Sequence, residues 1–339
     1  MSEYFRPLPR RDGPRPQDAL DVAGGPYWFT EAERITRGAD RVRVKLADIP
    51  QRWRDAISAP RPPVAGLTLD RPRLMGILNV TPDSFSDGGR HDGFDAAVAH
   101  AQAMQEAGAD LIDIGGESTR PGAKPVPTDE EIRRTAPVID LLTQHSAPPV
   151  SIDTRKAAVA ERAVASGAAL MNDVSGLDFD PDMAAYVASS GRAVCVMHSQ
   201  GDPEVMQNDP RYENVLLDVY DFLAERVSRL TALGVPKGRI VVDPGIGFGK
   251  TQAHNLLILN GISLFHGLGC AILLGASRKR FIGTISGTTQ ADQRVAGSVA
   301  VALAGAAQGV QILRIHDVDE TRQALALWSA IEEGEQYGT

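Results

Sequence analysis

The chain has 339 residues, 43 % hydrophobic and 23 % charged, a balance that supports a packed core and excludes global disorder. A net charge of −8 argues against a nucleic-acid partner, which calls for a basic face. Two cysteines, Cys195 and Cys270, exclude a disulfide framework or a paired-thiol metal knuckle; each sits in a short apolar run and reads as a buried thiol. No stretch approaches the ~20 apolar residues that span a bilayer. The opening MSEYFRPLPRRDGPRPQD lacks the apolar segment of a signal peptide. A soluble, cytoplasmic protein with no membrane contact is the expectation.

Residues 1–72 read as an N-terminal extension. They hold 10 of the 22 prolines and 13 Lys/Arg against 10 Asp/Glu, opposite in sign to the acidic remainder. Up to about Gly25 the segment is rich in Pro and Arg and reads as flexible. In the following WFTEAERITRGADRVRVKL, Thr30 with Glu33 three residues on has the form of a capping box and predicts a helix start. The alternating RVRVKL predicts a short strand, and residues 48–58 a short helix ended by the prolines from Pro60 to Pro63. The segment is too small for a core of its own and carries no functional signal.

From residue 73 to about 335 the pattern changes. Short apolar runs alternate with amphipathic stretches: LMGIL (74–78), DLIDIG (110–115), PVSID (149–153), ALMND (169–173), AVCVMH (193–198), RIVVD (239–243), AILLGAS (271–277) and VQILRIH (310–316). Helix-like segments such as DAAVAHAQAMQEAGA and TDEEIRRTAPVIDLLTQ lie between them. Strict alternation implies parallel strands with helical crossovers. Eight such units predict an α/β fold, a (β/α)8 TIM barrel carrying the N-terminal extension. The competing doubly wound sheet would open with a GxGxxG turn, and none follows LMGIL.

In such a barrel the reacting groups stand at the carboxyl ends of the strands. The eight runs end on Asn79, on GGESTRPGA, on Asp153, on Asn172 and Asp173, on Met197 and His198, on Asp243 with PGIGFGK, on Ser277–Lys279, and on Arg314 and His316. Any one Asp or Asn here could simply cap the next helix. Capping does not explain Asp153, Asn172, Asp243, Lys279 and Arg314 together. Arg314 and His316 alternate along one strand, so both face the same way.

The stretches NVTPDSFSDGG, GGESTRPGA, SIDT, NDVSG, DPGIGFGK, GASRKRFIG and ILRIHD, in that order, resemble dihydropteroate synthase over about residues 73–335. The resemblance implies a (β/α)8 enzyme of folate synthesis, usually a homodimer. It would couple (7,8-dihydropterin-6-yl)methyl diphosphate with 4-aminobenzoate, releasing diphosphate; sulfonamides would mimic the aminobenzoate. It further implies that Asp153, Asn172, Met197, Asp243 and Lys279 bind the pterin. Asn79, Thr119, Arg314 and His316 would hold the diphosphate, with Mg2+ on Asn79 as its single protein ligand. Phe85, Pro121, Phe248, Ser277, Lys279 and Arg280 would form the aminobenzoate pocket, although some relatives have serine where Arg280 stands. Asp153, Lys279, Asp87 and Arg120 would carry the catalytic step, favoured here as departure of diphosphate from a methylene cation that Asp153 stabilises; direct displacement is the alternative.

Residue chemistry is consistent with those roles: a carboxylate can accept two N–H bonds from an aminopyrimidine edge, and an amide can donate or accept. For Met197 the alternative to a pterin face is a core filler at the end of its strand. GFGK lacks the GxxxxGK[ST] spacing of a phosphate loop, so its glycines read as a tight turn. His198 is open between pocket wall and structural hydrogen bonding, and His91, His100, His145, His254 and His266 are expected at solvated positions. The rival activities are a pterin-dependent methyltransferase and a catalytically silent, synthase-like binding protein.

Overall fold

The computed structural model describes residues 2–80, 90–118, 125–144, 147–200 and 210–334, with residues 90–92 by backbone alone. Eight parallel strands close into a barrel: β6 (Arg73–Asn79), β7 (Leu111–Gly115), β8 (Val150–Asp153), β9 (Leu170–Asp173), β10 (Ala193–Met197), β11 (Ile240–Asp243), β12 (Ala271–Leu274) and β13 (Ile312–Ile315). All eight coincide with the apolar runs of the sequence. β13 pairs with β6, with Arg314 opposite Met75, and closes the ring. The crossovers are α2 (Arg90–Glu106), α3 (Thr128–Gln144), α4 (Ala157–Ala165), α5 (Met183–Ser190), α6 (Val215–Ala232), α7 (Gln252–Asn260), α8 (Arg280–Ser286) with α9 (Val295–Ala306), and α10 (Val318–Glu333).

The strands read as unbroken apolar runs because both faces are covered, by helices outside and by the barrel interior within. Alternation assigns the faces. Met75, Leu111, Leu170, Ala193, Cys195, Val241, Ala271, Leu273 and Ile312 form one interior cluster distinct from the core under the helices. Both cysteines are buried, as the sequence implies.

The extension is ordered into β-structure. β1 (Glu3–Pro7), β4 (Glu31–Thr36) and β5 (Val42–Lys45) form an antiparallel sheet, and β2 (Leu20–Asp21) pairs with β3 (Trp28–Phe29). The helix expected from Thr30 is therefore a strand, and the segment before Gly25 contributes β1 and β2. Glu33, read as a capping partner, instead faces Arg6 at 3.1 Å and Arg41 at 3.4 Å from neighbouring strand positions. Pairing across the hairpin outweighs the local cap signal. The strand at RVRVKL and the helix α1 (Gln51–Ser58) form as expected.

Aromatic packing seats this extension on the barrel. Trp53 of α1 stacks on Tyr220 of α6 with centroids 5.6 Å apart, Phe5 meets Trp53 edge-on at 5.7 Å, and Tyr220 stacks on Phe265. Gly267 makes the seat possible, since a Cβ there would lie 2.1 Å from the Trp53 ring. Arg61, buried, donates to the carbonyls of His266 at 3.0 Å and Cys270 at 3.1 Å. The same cover accounts for His266, which the sequence placed at a solvated position. It is wholly buried, donates from Nε2 to the Gln308 carbonyl at 2.9 Å, and is pushed down to about 3 by burial with Arg61 adding to the effect.

Candidate active site

The barrel interior changes character two residues above its apolar cluster. Leu111, Leu170, Val241 and Ile312 come from alternate strands, the layering expected of this fold. Two positions further along the same strands stand Asp113, Asn172, Asp243 and Arg314. One apolar layer is thus followed by one polar layer. Arg314 donates from Nε to Asp113 Oδ2 at 2.6 Å and from Nη2 to Asp153 Oδ2 at 2.7 Å. Asn172 Nδ2 donates to Asp113 Oδ2 at 3.0 Å. Above them the remaining strands contribute Asn79, Asp153 and Met197.

Space at this level comes from glycine. A Cβ on Gly275 would lie 3.5 Å from Asp243 Oδ2 and 3.9 Å from Arg314; one on Gly115 would lie 3.8 Å from both Asn79 Oδ1 and Asp153 Oδ2. These missing side chains leave a cradle between the polar groups. Gly245 is required for its backbone: its φ is +68°, and a Cβ would come 1.9 Å from the His198 carbonyl oxygen. The turn lets the Gly245 N–H donate to Asp243 Oδ1 at 2.7 Å, fixing that carboxylate with its other oxygen toward Gly275.

Burial and charge set the electrostatics. Asp153 is pushed up to about 7 by burial; Arg314 opposes this and Asp113 adds to it. Asp243 is raised by burial against the pull of Lys279. Lys279, at the start of α8, donates to the Ile246 carbonyl and lies 4.4 Å from the Phe248 ring centroid. Burial pushes its ammonium down to about 8, with Asp243 opposing. Burial works against the charge of Arg314, yet Asp113, Asp153 and Asp243 outweigh it and hold the guanidinium charged. Ser277 Oγ accepts from the His316 backbone N–H at 3.2 Å and lies 3.0 Å from His316 Nδ1, joining β12 to β13 at the rim.

Of the residues singled out in the sequence, Asn79, Asp153, Asn172, Met197, Asp243, Phe248, Ser277, Lys279, Arg314 and His316 gather at this one mouth. Arg280 is exposed at the first position of α8. Phe85, Asp87, Thr119, Arg120 and Pro121 lie outside the described residues. His198 is resolved toward structural hydrogen bonding. Lys250 Nζ donates to its Nδ1 at 2.8 Å and to the carbonyl of Phe248 at 3.0 Å, and burial followed by Lys250 pushes the imidazole down to about 2.

Sequence reasoning missed Asp113. The signal was available: DLIDIG places an Asp inside a strand, in phase with the inward residues Leu111 and Gly115. It also missed a buried ionic clasp. Lys156 Nζ donates to Glu117 and Glu131, each at 2.5 Å, and to the Val126 carbonyl at 2.6 Å, while Arg155 pairs with Glu117 at 2.8 Å.

A model of the pterin binding enzyme family matches residues 75–316. The chain is 42 % identical over 264 residues to the dihydropteroate synthase of Escherichia coli strain K12, covering 78 % of this chain and 93 % of the relative. The chain belongs to the dihydropteroate synthase family. Among solved structures, Xanthomonas albilineans dihydropteroate synthase with 4-aminobenzoic acid superposes with a TM-score of 0.76 at 48 % identity, over 80 % of this chain and 98 % of that one. The Xanthomonas albilineans enzyme in complex with 7,8-dihydropteroate gives 0.73 at 46 %, over 80 % and 99 %. The family match begins at Met75, so the extension lies outside it.

Among the described residues no group of three or more His, Cys, Asp or Glu side chains could hold a metal. Mg2+ is a hard cation that keeps waters and needs few protein oxygen donors. The Asn79 side-chain oxygen beside the Gly115 cradle is the hard donor such an ion needs. No helix among the described residues is long and apolar enough to cross a membrane.

Proposed function

We propose that the chain is a dihydropteroate synthase that condenses (7,8-dihydropterin-6-yl)methyl diphosphate with 4-aminobenzoate, giving 7,8-dihydropteroate and diphosphate. The observation that carries this reading is the polar layer of Asp113, Asn172, Asp243 and Arg314 beneath Asp153 and Lys279. It joins acceptors for the N–H edge of a flat heterocycle to cations for an anionic leaving group. Asp243 and Asn172 accept from the aminopyrimidine edge, Lys279 donates to the ring's carbonyl side, and Met197 offers a thioether face. Arg314 and His316 take the diphosphate, and Asn79 would hold Mg2+, which would supply charge neutralisation to the leaving group. Asp153 Oδ1, buried and without a partner among the described residues, lies where it can stabilise positive charge developing on the pterin methylene. Phe248 and Ser277 border the aminobenzoate, with Thr119, Arg120, Pro121, Phe85, Asp87 and Arg280 assigned from the family motifs.

A homodimer in the cytoplasm completes the reading. α9, VAGSVAVALAGA, is apolar all round, yet Ala296, Ala300 and Ala304 are exposed on its outer face. Ile285 of α8 and Leu327 and Ile331 of α10, neighbouring helices, are exposed at 56–68 %. A second copy covering this face would bury it.

The test is to incubate the protein with the pterin diphosphate, 4-aminobenzoate and Mg2+ and to measure diphosphate and dihydropteroate. Release that depends on the aminobenzoate is expected. No release would leave a silent binding protein, and release without aminobenzoate would leave only a hydrolase.

A further inference from the structure

We infer that Asp113 is a positioning residue that sets the polarity of the pterin grip, orienting the amide of Asn172 and the guanidinium of Arg314 through one shared carboxylate oxygen. This rests on the proposed reading that Asn172 touches the pterin.

Asp113 is fully buried in the middle of β7, in the same layer as Asn172, Asp243 and Arg314. Its Oδ2 accepts both from Asn172 Nδ2 and from Arg314 Nε, on β9 and β13, while Oδ1 has no partner among the described residues. A carboxylate only accepts, so the end of the Asn172 amide that faces it must be the NH2 group. The other end, the carbonyl oxygen, is then directed away from Asp113. Asn172 therefore offers the site an acceptor. That polarity matches Asp243, whose second oxygen is also an acceptor, and the two together suit the N–H edge of an aminopyrimidine. Without Asp113 the amide could turn over and present a donor to a donor. The guanidinium is fixed in the same way. With Nε on Asp113 and Nη2 on Asp153, its plane is tied at two points, and it cannot swing down into the apolar layer of Leu111 and Ile312.

The experiment measures dihydropterin affinity by calorimetry for four proteins: wild type, Asn172→Ala, Asp113→Leu and Asp113→Asn. Asp113→Leu keeps the volume and removes the shared acceptor, so the Asn172 amide and the Arg314 guanidinium lose what orients them. Affinity should fall roughly 10- to 100-fold. In Asp113→Asn the Arg314 Nε–H must still meet an oxygen, so the amide places its carbonyl where Oδ2 stood, and that oxygen still accepts from Asn172. Affinity should stay within about fivefold of wild type, a rescue by the conservative variant that a merely volume-filling role for Asp113 does not predict. A folded Asp113→Leu at wild-type affinity, or Asp113→Asn binding no better than Asp113→Leu, would overturn the inference. Should Asp113→Leu fail to fold, Asp113→Asn compared with wild type decides it: tight binding supports the inference and weak binding by the folded variant refutes it. If Asn172→Ala binds as wild type does, the failure belongs to the reading of Asn172 as a pterin contact.

Discussion

Replacing Asp243 by Asn is the sharpest probe of the pterin grip, because the structure dictates which way the new amide must face. The Gly245 N–H donates to Asp243 Oδ1 at 2.7 Å, and Gly245 cannot withdraw, since its backbone is pressed against the His198 carbonyl. The amide must therefore turn its oxygen to Gly245, leaving its NH2 toward the cradle at Gly275. A ligand N–H that met a charged acceptor now meets a donor. Losing a hydrogen bond to a charged group costs roughly 1.5–3 kcal/mol, and leaving a buried donor unpaired adds roughly 1–3. At about 1.4 kcal/mol per tenfold, dihydropterin binding should weaken on the order of 10²- to 10⁴-fold. Calorimetric titration of the folded variant measures this, with a thermal melt to show that the barrel is intact. A Kd within tenfold of wild type, at an unchanged melting temperature, would refute the placement of Asp243 on the pterin.

Other outcomes follow from the same geometry. With Asp153 pushed up to about 7 and Lys279 down to about 8, kcat/KM should rise as pH passes about 7 and fall above about 8; Asp153→Asn should abolish the acid limb in a pH–rate profile. The sign for stability is opposite. Asp153 has a folded value above its unfolded value of about 3.9, so its contribution is present at low pH and lost as pH rises through about 7; the melting temperature of Asp153→Asn minus that of wild type should increase from pH 5 to 8. Trp53→Ala should cost roughly 3–5 kcal/mol in a urea melt while leaving dihydropterin affinity within twofold, and a loss of affinity at full stability would contradict the purely structural seat assigned to the extension. Ala300→Arg on α9 should convert a dimer to monomer in sedimentation, and an unchanged mass would place the interface elsewhere.

The barrel is legible in the sequence because each strand is buried on both faces, and chemistry replaces hydrophobicity at its last residue. The run RIVVD, ending on Asp243, shows both signals within five residues. The extension misleads where the decisive interactions are distant in sequence. Thr30 and Glu33 satisfy a local capping rule, but Glu33 is claimed by Arg6 and Arg41, and Ala32 packs in a three-stranded sheet whose first strand begins at Glu3. His266 misleads similarly: nothing near it in sequence announces that Arg61 and the Gln308 carbonyl will enclose it. Asp113 escapes notice for a different reason. Attention to strand ends discounts a polar residue in mid-strand, although its inward phase marks it as part of the site.

That residue explains how the polar layer of this barrel can be preorganised although its other members are long, charged or amphoteric side chains. Strand alternation alone would deliver Asn172 and Arg314 to the interior with free rotamers and, for the amide, with either polarity. Because closing the barrel sets β7, β9, β11 and β13 in one layer, a single carboxylate can reach both neighbours, and the backbone N–H of Gly245 fixes the fourth member, Asp243. The donors and acceptors presented upward are then set before any ligand arrives, so binding need not supply the entropy of ordering them. Two residues lower the same geometry packs Leu111, Leu170, Val241 and Ile312. The barrel's layering, which there only fills volume, becomes a specificity device once four polar side chains occupy it.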